Sequence, residues 1–137
     1  QVLFHDTGAE VVFAADAAGV YVPALDSVEV TSPPPGFDLE DVIADARTID
    51  DLDPETICYA HFGPVPADDR IDEYVEAITG WVDAIERKRE ELGDDEAVID
   101  HFIEETDLTD VCSETKATAE VEMNVRGVFH YLDERDE

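Results

Sequence analysis

The sequence has few bases. Its 137 residues include 8 Lys and Arg against 37 Asp and Glu, which gives a formal net charge of −29 at pH 7. Nucleic acids and anionic membrane surfaces both require a basic face on the protein that binds them. No basic cluster of any length occurs, and only two of the bases are lysines, Lys88 and Lys116. We therefore expect neither nucleic acid nor a membrane as a partner.

Long apolar runs and cysteines are also scarce. No run approaches the roughly 18 apolar residues of a transmembrane helix, and we identify no signal peptide. Cys58 and Cys112 allow one disulfide, but the position of Cys58 inside an apolar strand favours a free thiol. The sequence begins QVLFHD, without a methionine and inside a strand-like run, which predicts that further residues precede Gln1 in the intact protein.

The hydrophobic fraction, in contrast, is ordinary for a globular protein at 44%. A chain of this length forms one domain that buries roughly two thirds of its unfolded surface. At about 1 M salt the Debye length is about 3 Å, so the repulsion among the carboxylates is screened. Few lysines, many carboxylates and a normal core together predict the cytoplasm of a halophile. An acidic interaction tail would lack the interleaved aliphatic residues seen here.

Three or four strands are predicted in the first half of the chain. QVLFHD and AEVVFAAD, joined through DTGA, predict an antiparallel hairpin. The second run is apolar on both faces, which predicts a sheet covered on both sides. GVYVPA predicts a short strand closed by Pro23, and residues 26–36, with three consecutive prolines, predict a loop. TICYAHFGP predicts a further buried strand that ends at Gly63-Pro64.

Four later segments have apolar residues at helical spacing. FDLEDVIADARTIDDL predicts a helix with Asp38 as its candidate N-cap, and the longest helix is predicted from about residue 68 to 92, closed by Gly93. DDEAVIDHFIEET and KATAEVEMNVRGVFHYLDERDE predict two more. The order of elements predicts an α+β fold, with a strand-rich region over residues 1–66 and a helical region over residues 67–137.

Two polar side chains follow apolar strands directly. Asp16 comes after Val11 to Ala15 and before the small residues AAG, and His61 precedes a Phe-Gly-Pro turn. If the two strands are neighbours in one sheet, a carboxylate and an imidazole converge there, as zinc ligands commonly do. The spacing alone favours a simpler interpretation, in which Asp16 caps a turn and His61 is a hydrogen-bonded residue at a strand end. Two ligands are also fewer than the roughly three that a catalytic zinc needs.

The two motifs resemble a known family. VVFAADAAGVYVP, with YAHFGP following so that His61 stands 45 residues after Asp16, resembles the second half of a metallo-β-lactamase-fold hydrolase. The resemblance covers residues 1 to about 66, and the ending MNVRGVFHYL resembles the C-terminal helices of archaeal members. It implies the C-terminal half of an αββα sandwich, in which antiparallel strands precede a helical C-terminal region. In that fold Asp16 would bridge two divalent metal ions and His61 would bind the second, with zinc expected first and iron or manganese as alternatives.

The sequence departs from the family in two ways. Ala15 stands where members commonly have glycine, a change that we expect to need only a negative φ. The family's His-x-His-x-Asp-His cluster and its intervening His are absent from this sequence and would lie upstream of Gln1. His5, His101 and His130 do not replace them, and we interpret all three as structural.

The resemblance implies an activity for the intact parent: hydrolysis of an ester, thioester, lactone or amide of a small molecule by a metal-activated hydroxide. The loop after Asp16 would line the substrate cleft, with Tyr21 and Phe37 as candidate substrate contacts, although aromatics beside loops more often pack. This chain alone would be inactive and would hold a partial site or no metal. The alternative is a non-enzymatic acidic module that self-associates or binds a partner. Either way we expect a homo-oligomer or pairing with the missing N-terminal half.

Overall fold

The computed structural model describes residues 3–60, 63–106 and 113–137. Within these ranges the chain forms six strands and four helices. The strands are β1 (Phe4–Asp6), β2 (Val11–Ala15), β3 (Val20–Val22), β4 (Ser27–Glu29), β5 (Thr56–Tyr59) and β6 (Gly63–Pro66). The helices are α1 (Leu39–Asp51), α2 (Arg70–Leu92), α3 (Asp95–Glu105) and α4 (Glu114–Arg135). The predicted α+β class is confirmed, and all four predicted helices are present.

Four of the strands form a mixed sheet in the order β1-β2-β5-β6. Strands β1 and β2 pair antiparallel, with Phe4 opposite Phe13, so the predicted hairpin is confirmed. Strands β2 and β5 pair parallel, and β5 and β6 pair antiparallel. Because β3, β4 and α1 connect β2 to β5, the one parallel pair has the long crossover connection that parallel strands require.

The remaining strands, β3 and β4, form a separate antiparallel hairpin. The short strand predicted before Pro23 is confirmed as β3, but the prediction of a loop over residues 26–36 is wrong at its start, where Ser27–Glu29 is β4. The three prolines of that segment begin only at Pro33, so the backbone amides of β4 are intact and can pair with β3.

The strand predicted for TICYAHFGP ends earlier than expected. Strand β5 stops at Tyr59, and Gly63 and Pro64 open β6 instead of terminating β5. Proline lacks an amide donor and is tolerated in a sheet on an edge strand. That is the position of β6, which carries Pro64 and Pro66.

One face of the four-stranded sheet is buried and the other is not. Val12, Ile57 and Val65, which are opposite one another across β2, β5 and β6, are 0%, 0% and 5% exposed. On the alternate positions, Phe4 is 68% and Phe13 is 48% exposed. The prediction that this sheet is covered on both sides is therefore wrong, because side chains alternate between faces along a strand.

Contacts divide the chain into two compact units. Unit 1 comprises Gln1–Thr31 and Leu39–Thr79, and unit 2 comprises Ser32–Asp38 and Gly80–Glu137. Unit 1 contains the mixed sheet, the β3–β4 hairpin, α1 and the first turns of α2. Unit 2 contains the rest of α2 with α3 and α4. The regions 1–66 and 67–137 that the sequence suggests as domains stay a prediction.

Unit 2 has a polar contact in its core. Ser32 is fully buried, its amide donates to Asn124 Oδ1 (2.8 Å), and its hydroxyl donates to the Asn124 carbonyl (2.7 Å). Trp81 Nε1 donates to the same hydroxyl (3.1 Å). Gly127 makes the approach possible, because a Cβ built on it would lie 1.6 Å from the Ser32 carbonyl oxygen. Around this contact, α4 buries apolar residues at helical spacing, namely Val121, Val125, Phe129 and Leu132.

The two mid-helix glycines should respond to alanine in opposite directions. We expect Gly127→Ala to lower the free energy of unfolding by about 2–3 kcal/mol or more, since the new methyl group overlaps backbone atoms that cannot rotate away. Gly80→Ala should raise it by roughly 0.5–1 kcal/mol, because a Cβ there meets nothing within 4 Å and alanine favours the helix. Denaturant unfolding in molar salt measures both. Equal effects of the two substitutions would contradict the close approach at Gly127.

Candidate functional site

Asp16 lies at the carboxyl end of the one parallel strand pair. It follows Ala15, the last residue of β2, which is opposite Tyr59, the last residue of β5. The Ala60 amide donates to the Ala15 carbonyl (3.4 Å), so the two strands are still side by side where they end. The carboxyl ends of parallel strands are where open sheets commonly place ligands. The neighbouring strands that the metal prediction requires are therefore present.

The second predicted ligand, His61, lies outside the described residues. In the sequence it is the second residue after Tyr59, where β5 ends. Its convergence with Asp16 stays a prediction. Within residues 3–60, 63–106 and 113–137, no group of three or more His, Cys, Asp or Glu side chains is arranged to hold a metal ion.

The backbone before Asp16 is irregular. The pairing register of β2 with β5 shifts between Phe13 and Ala15, and Ala15 has φ = +48°. The expectation of a negative φ at Ala15 is therefore wrong. A left-handed conformation is one that glycine adopts without the steric cost that a Cβ brings. Bulges of this kind redirect a side chain at the end of a strand, and here the residue that follows is Asp16.

The small residues after Asp16 form a tight, buried turn. The Gly19 amide donates to the Asp16 carbonyl (3.1 Å), and Ala17 and Ala18 are 5% and 0% exposed. Gly19 has φ = +84°, and a Cβ built on it would lie 2.8 Å from Val28 Cγ1. Small side chains in this turn let another segment of the chain come close. In the structure they admit strand β4.

Two buried tyrosines, Tyr59 in β5 and Tyr74 in α2, have raised pKa values. Burial raises the pKa of Tyr59 to about 12 and that of Tyr74 to about 12, and the carboxylate of Asp16 adds to the rise at Tyr74. Both hydroxyls therefore stay protonated well above neutral pH. The Tyr59 hydroxyl is buried and has no hydrogen-bond partner in the described part of the chain. Leaving such a group unsatisfied costs about 1–3 kcal/mol.

The two candidate substrate contacts have packing partners. The Tyr21 ring centroid is 6.1 Å from that of Tyr59, and the Tyr21 hydroxyl donates to Asp26 Oδ1 (2.8 Å). Phe37, in unit 2, is 6% exposed and packs edge-on against Tyr131, with ring centroids 5.7 Å apart. The suggested role of both residues in substrate binding stays a prediction.

The other histidines are placed on surfaces of the secondary structure. His5 is exposed in β1. His101 Nε2 is 3.7 Å from Glu105 Oε2, and His130 Nδ1 is 3.4 Å from Glu134 Oε2, each one helical turn apart. These are ordinary helix-surface pairs, and the structural role expected for His5, His101 and His130 stays a prediction.

The two cysteines give no disulfide in the described structure. Cys58 lies in β5, is half-buried, and carries a free thiol as far as the described residues extend. Cys112 falls outside those residues, so the expectation about a pairing of the two cysteines stays a prediction.

Sequence reasoning missed one cluster next to this region. The Arg70 guanidinium, in the first turn of α2, contacts Asp26 in the turn between β3 and β4, and also Glu73. Nothing in the spacing of these residues connects positions 26 and 70. The one available signal was a base at the start of a helix, where the helix dipole disfavours positive charge.

The sequence matches no protein-family model and no curated protein. Among the residues that the structure describes, none of the helices combines the length and the apolar character that crossing a membrane requires.

The buried tyrosines predict a loss of stability in alkali. Their folded-state pKa of about 12 exceeds the ordinary value of 10.0, so their contribution is complete below pH 10 and is lost as pH rises through about 12. A rise of two units corresponds to roughly 3 kcal/mol at most for each group. We expect Tyr59→Phe to flatten this loss and to leave the protein at least as stable at pH 7, because it removes an unsatisfied hydroxyl.

The control is Tyr21→Phe, which removes a hydroxyl that does have a partner. It should lower the free energy of unfolding at pH 7 by about 0.5–1.5 kcal/mol. Denaturant unfolding at pH 7, 10 and 12 measures both variants. A Tyr59→Phe variant that is less stable than Tyr21→Phe at pH 7 would contradict the assignment of Tyr59 as unsatisfied.

Proposed function

We propose that this chain is the C-terminal half of a metal-dependent hydrolase of the metallo-β-lactamase fold, with Asp16 and His61 as its metal ligands. One observation carries the proposal. Asp16 follows β2 at the carboxyl end of the parallel pair, and the sequence of the neighbouring strand β5 continues to His61 two residues after its end. A carboxylate and an imidazole from adjacent strand ends are suitable donors for zinc.

The backbone at Ala15 supports the resemblance. Members of the family commonly have glycine before the metal-bridging Asp, and this chain has an alanine there with φ = +48°. A positive φ is rare for alanine and easy for glycine. The position thus has the conformation that would account for glycine in the relatives, and in this chain alanine adopts it at some steric cost.

The exposed face of the mixed sheet is also what a half-sandwich would have. In an αββα fold one face of each sheet packs on helices and the other packs on a second sheet. Here the face of Val12 and Ile57 is buried, whereas Phe4 and Phe13 on the other face are exposed. Phe4 and Phe13 lie opposite each other, and contiguous exposed apolar residues, unlike single ones, commonly mark a contact surface.

The donors in this chain are not enough for a complete centre. Asp16 would bridge two divalent ions and His61 would bind one, which is two ligands where a catalytic zinc has about three. The ions of such a centre supply Lewis acidity and a nucleophile at neutral pH. Because the remaining donors must come from elsewhere, we propose hydrolysis of an ester, thioester, lactone or amide for the intact parent only, and no activity for this chain alone.

Zinc binding tests the proposal. We expect the chain to bind Zn²⁺ in molar salt with an affinity that falls at least about tenfold in Asp16→Ala and in His61→Ala, since loss of a group that only supports a metal ligand already costs roughly 10–100-fold. Calorimetric titration measures the affinity. Molar salt is needed because a chain with a net charge of −29 attracts cations non-specifically in dilute buffer.

The controls are one exposed aspartate and one exposed histidine, Asp100→Ala and His130→Ala, both on helices of unit 2. They remove the same chemical groups and should leave Zn²⁺ affinity unchanged. Zinc binding that is absent from the unsubstituted chain, or that falls equally in all four variants, would contradict the proposed metal site.

A second candidate function is self-association without catalysis. The register places Phe4, Phe13, Cys58 and Pro64 in one row across all four strands of the mixed sheet. The row carries no charge, although a third of all residues in the chain are charged. A face of this kind favours contact with another apolar surface, and a second copy of the chain would provide one.

Light scattering in molar salt tests self-association. If the sheet face associates, the chain should form a concentration-dependent oligomer that Phe13→Ser reduces to a monomer. Leu92→Ser is the matched control, because Leu92 is 43% exposed, close to the 48% of Phe13, and lies at the end of α2, far along the chain from the sheet. A monomer at every concentration, or equal loss of association in both variants, would rule out this candidate.

A further inference from the structure

The β3–β4 hairpin is held by side chains rather than by a sheet. Among the described strands, β3 and β4 pair only with each other, through Val20 with Glu29, Tyr21 with Val28, and Val22 with Ser27. A two-stranded hairpin by itself is marginally stable in water. Its place in unit 1 must therefore be fixed by contacts with other elements.

Arg70 provides the most direct of these contacts. Its Nη2 donates to Asp26 Oδ1 (2.7 Å) and its Nη1 donates to the Asp26 carbonyl (3.1 Å), so one guanidinium binds both the side chain and the backbone at the tip of the hairpin. The same Nη1 donates to Glu73 Oε2 (3.1 Å), one turn along α2. This bond orients the guanidinium toward the hairpin.

Tyr21, in strand β3, contacts both Arg70 and Asp26. The guanidinium of Arg70 lies over its ring, 5.2 Å from the centroid, which is within the range of a cation–π contact. The Tyr21 hydroxyl donates to the Asp26 oxygen that also accepts from Arg70. These two hydrogen bonds hold the pKa of Asp26 below its ordinary value, so the carboxylate stays charged.

The Arg70–Asp26 ion pair differs from the Arg47–Asp72 pair of unit 1 in how exposed its arginine is. The Arg70 side chain is 17% exposed, whereas that of Arg47, which pairs with Asp72 at 2.6 Å, is 44% exposed. Asp26 itself is 76% exposed, so it is the arginine side of this pair that solvent and salt screen least. Arg70 also stands in the first turn of α2, where the helix dipole disfavours a cation. The hydrogen bonds that Arg70 makes to Asp26 account for an arginine at this position.

The hairpin covers the turn that follows Asp16. Strand β4 lies directly on Gly19, whose Cβ position is 2.8 Å from the Glu29 carbonyl oxygen and from Val28 Cγ1. Ala18, between Asp16 and Gly19, is fully buried. If the hairpin moved away, these residues would become accessible to solvent.

We propose that the β3–β4 hairpin is a strap across the segment after Asp16, that Arg70 is its fastener, and that the strap opens as a unit while the four-stranded sheet stays folded. Cooperative local opening often involves a whole supersecondary motif such as a hairpin, and here it would expose the buried Val22 and Val28. A further part of the proposal rests on the proposed function: opening would regulate access to the metal site at Asp16.

Hydrogen exchange by mass spectrometry tests the strap on the full chain, in molar salt and with a chelator present. We expect Arg70→Gln to accelerate exchange at residues 20–29 by about tenfold or more, since bonds to charged groups are strong enough for that factor. Exchange at residues 11–15 and 56–59, in β2 and β5, should not change. Arg47→Gln removes an ion pair of similar length whose arginine is more exposed, and it should leave all three segments unchanged.

Two results would overturn the strap. One is unchanged exchange at residues 20–29 in Arg70→Gln, and the other is equal acceleration in all three segments, which would mean general destabilisation. If Arg70→Gln does not fold, Asp26→Asn serves instead, since it keeps the size of the side chain and removes its charge. Because the exchange is measured without metal, its outcome is separate from that of the Zn²⁺ titration.

Discussion

The parallel pairing of β2 with β5 is the contact on which the rest of unit 1 depends. It brings together two strands that are separated in the sequence by the β3–β4 hairpin and α1, and every other strand of the sheet is added to it by a short antiparallel connection. The same pairing places Asp16 and the end of β5 at one edge of the sheet. Non-local pairing closes a long loop, so its apolar contacts must offset the entropy of that closure. The buried row of Val12 and Ile57 makes that contribution.

Scarcity of positive charge shapes the other contacts. Most arginines of the chain each contact two carboxylates, and these are Arg47, Arg70, Arg89, Arg126 and Arg135. In unit 2 they connect helices: Arg89 of α2 contacts Asp95 of α3 and Asp133 of α4. Each of these five guanidiniums reaches at least one carboxylate on another element. These five arginines thus act as cross-links between elements of their own unit.

The helices and the first hairpin were predictable, because their apolar spacing and turn residues are local signals. Strand β4 and the break between β5 and β6 were not, since prolines nearby suggested a loop and a strand end. The exposed face at Phe13 was missed because an apolar run does not show which face is covered. For the site, the sequence identified Asp16 and the need for neighbouring strands. It gave no indication of the left-handed backbone at Ala15 or of Arg70, whose partner is 44 residues away.

The two prolines of β6 have a consequence for how this sheet could grow. The Ala67 amide donates to the Glu55 carbonyl, so along β6 the odd-numbered residues direct their amides inward, and the outward positions are Pro64 and Pro66, which have no amide to donate. A strand arriving at that edge finds no donors, which leaves β1 as the edge open to a further strand. A sheet with one usable edge can join one other such sheet and then stops. Its geometry therefore permits a closed pair and excludes an endless fibril built by edge addition.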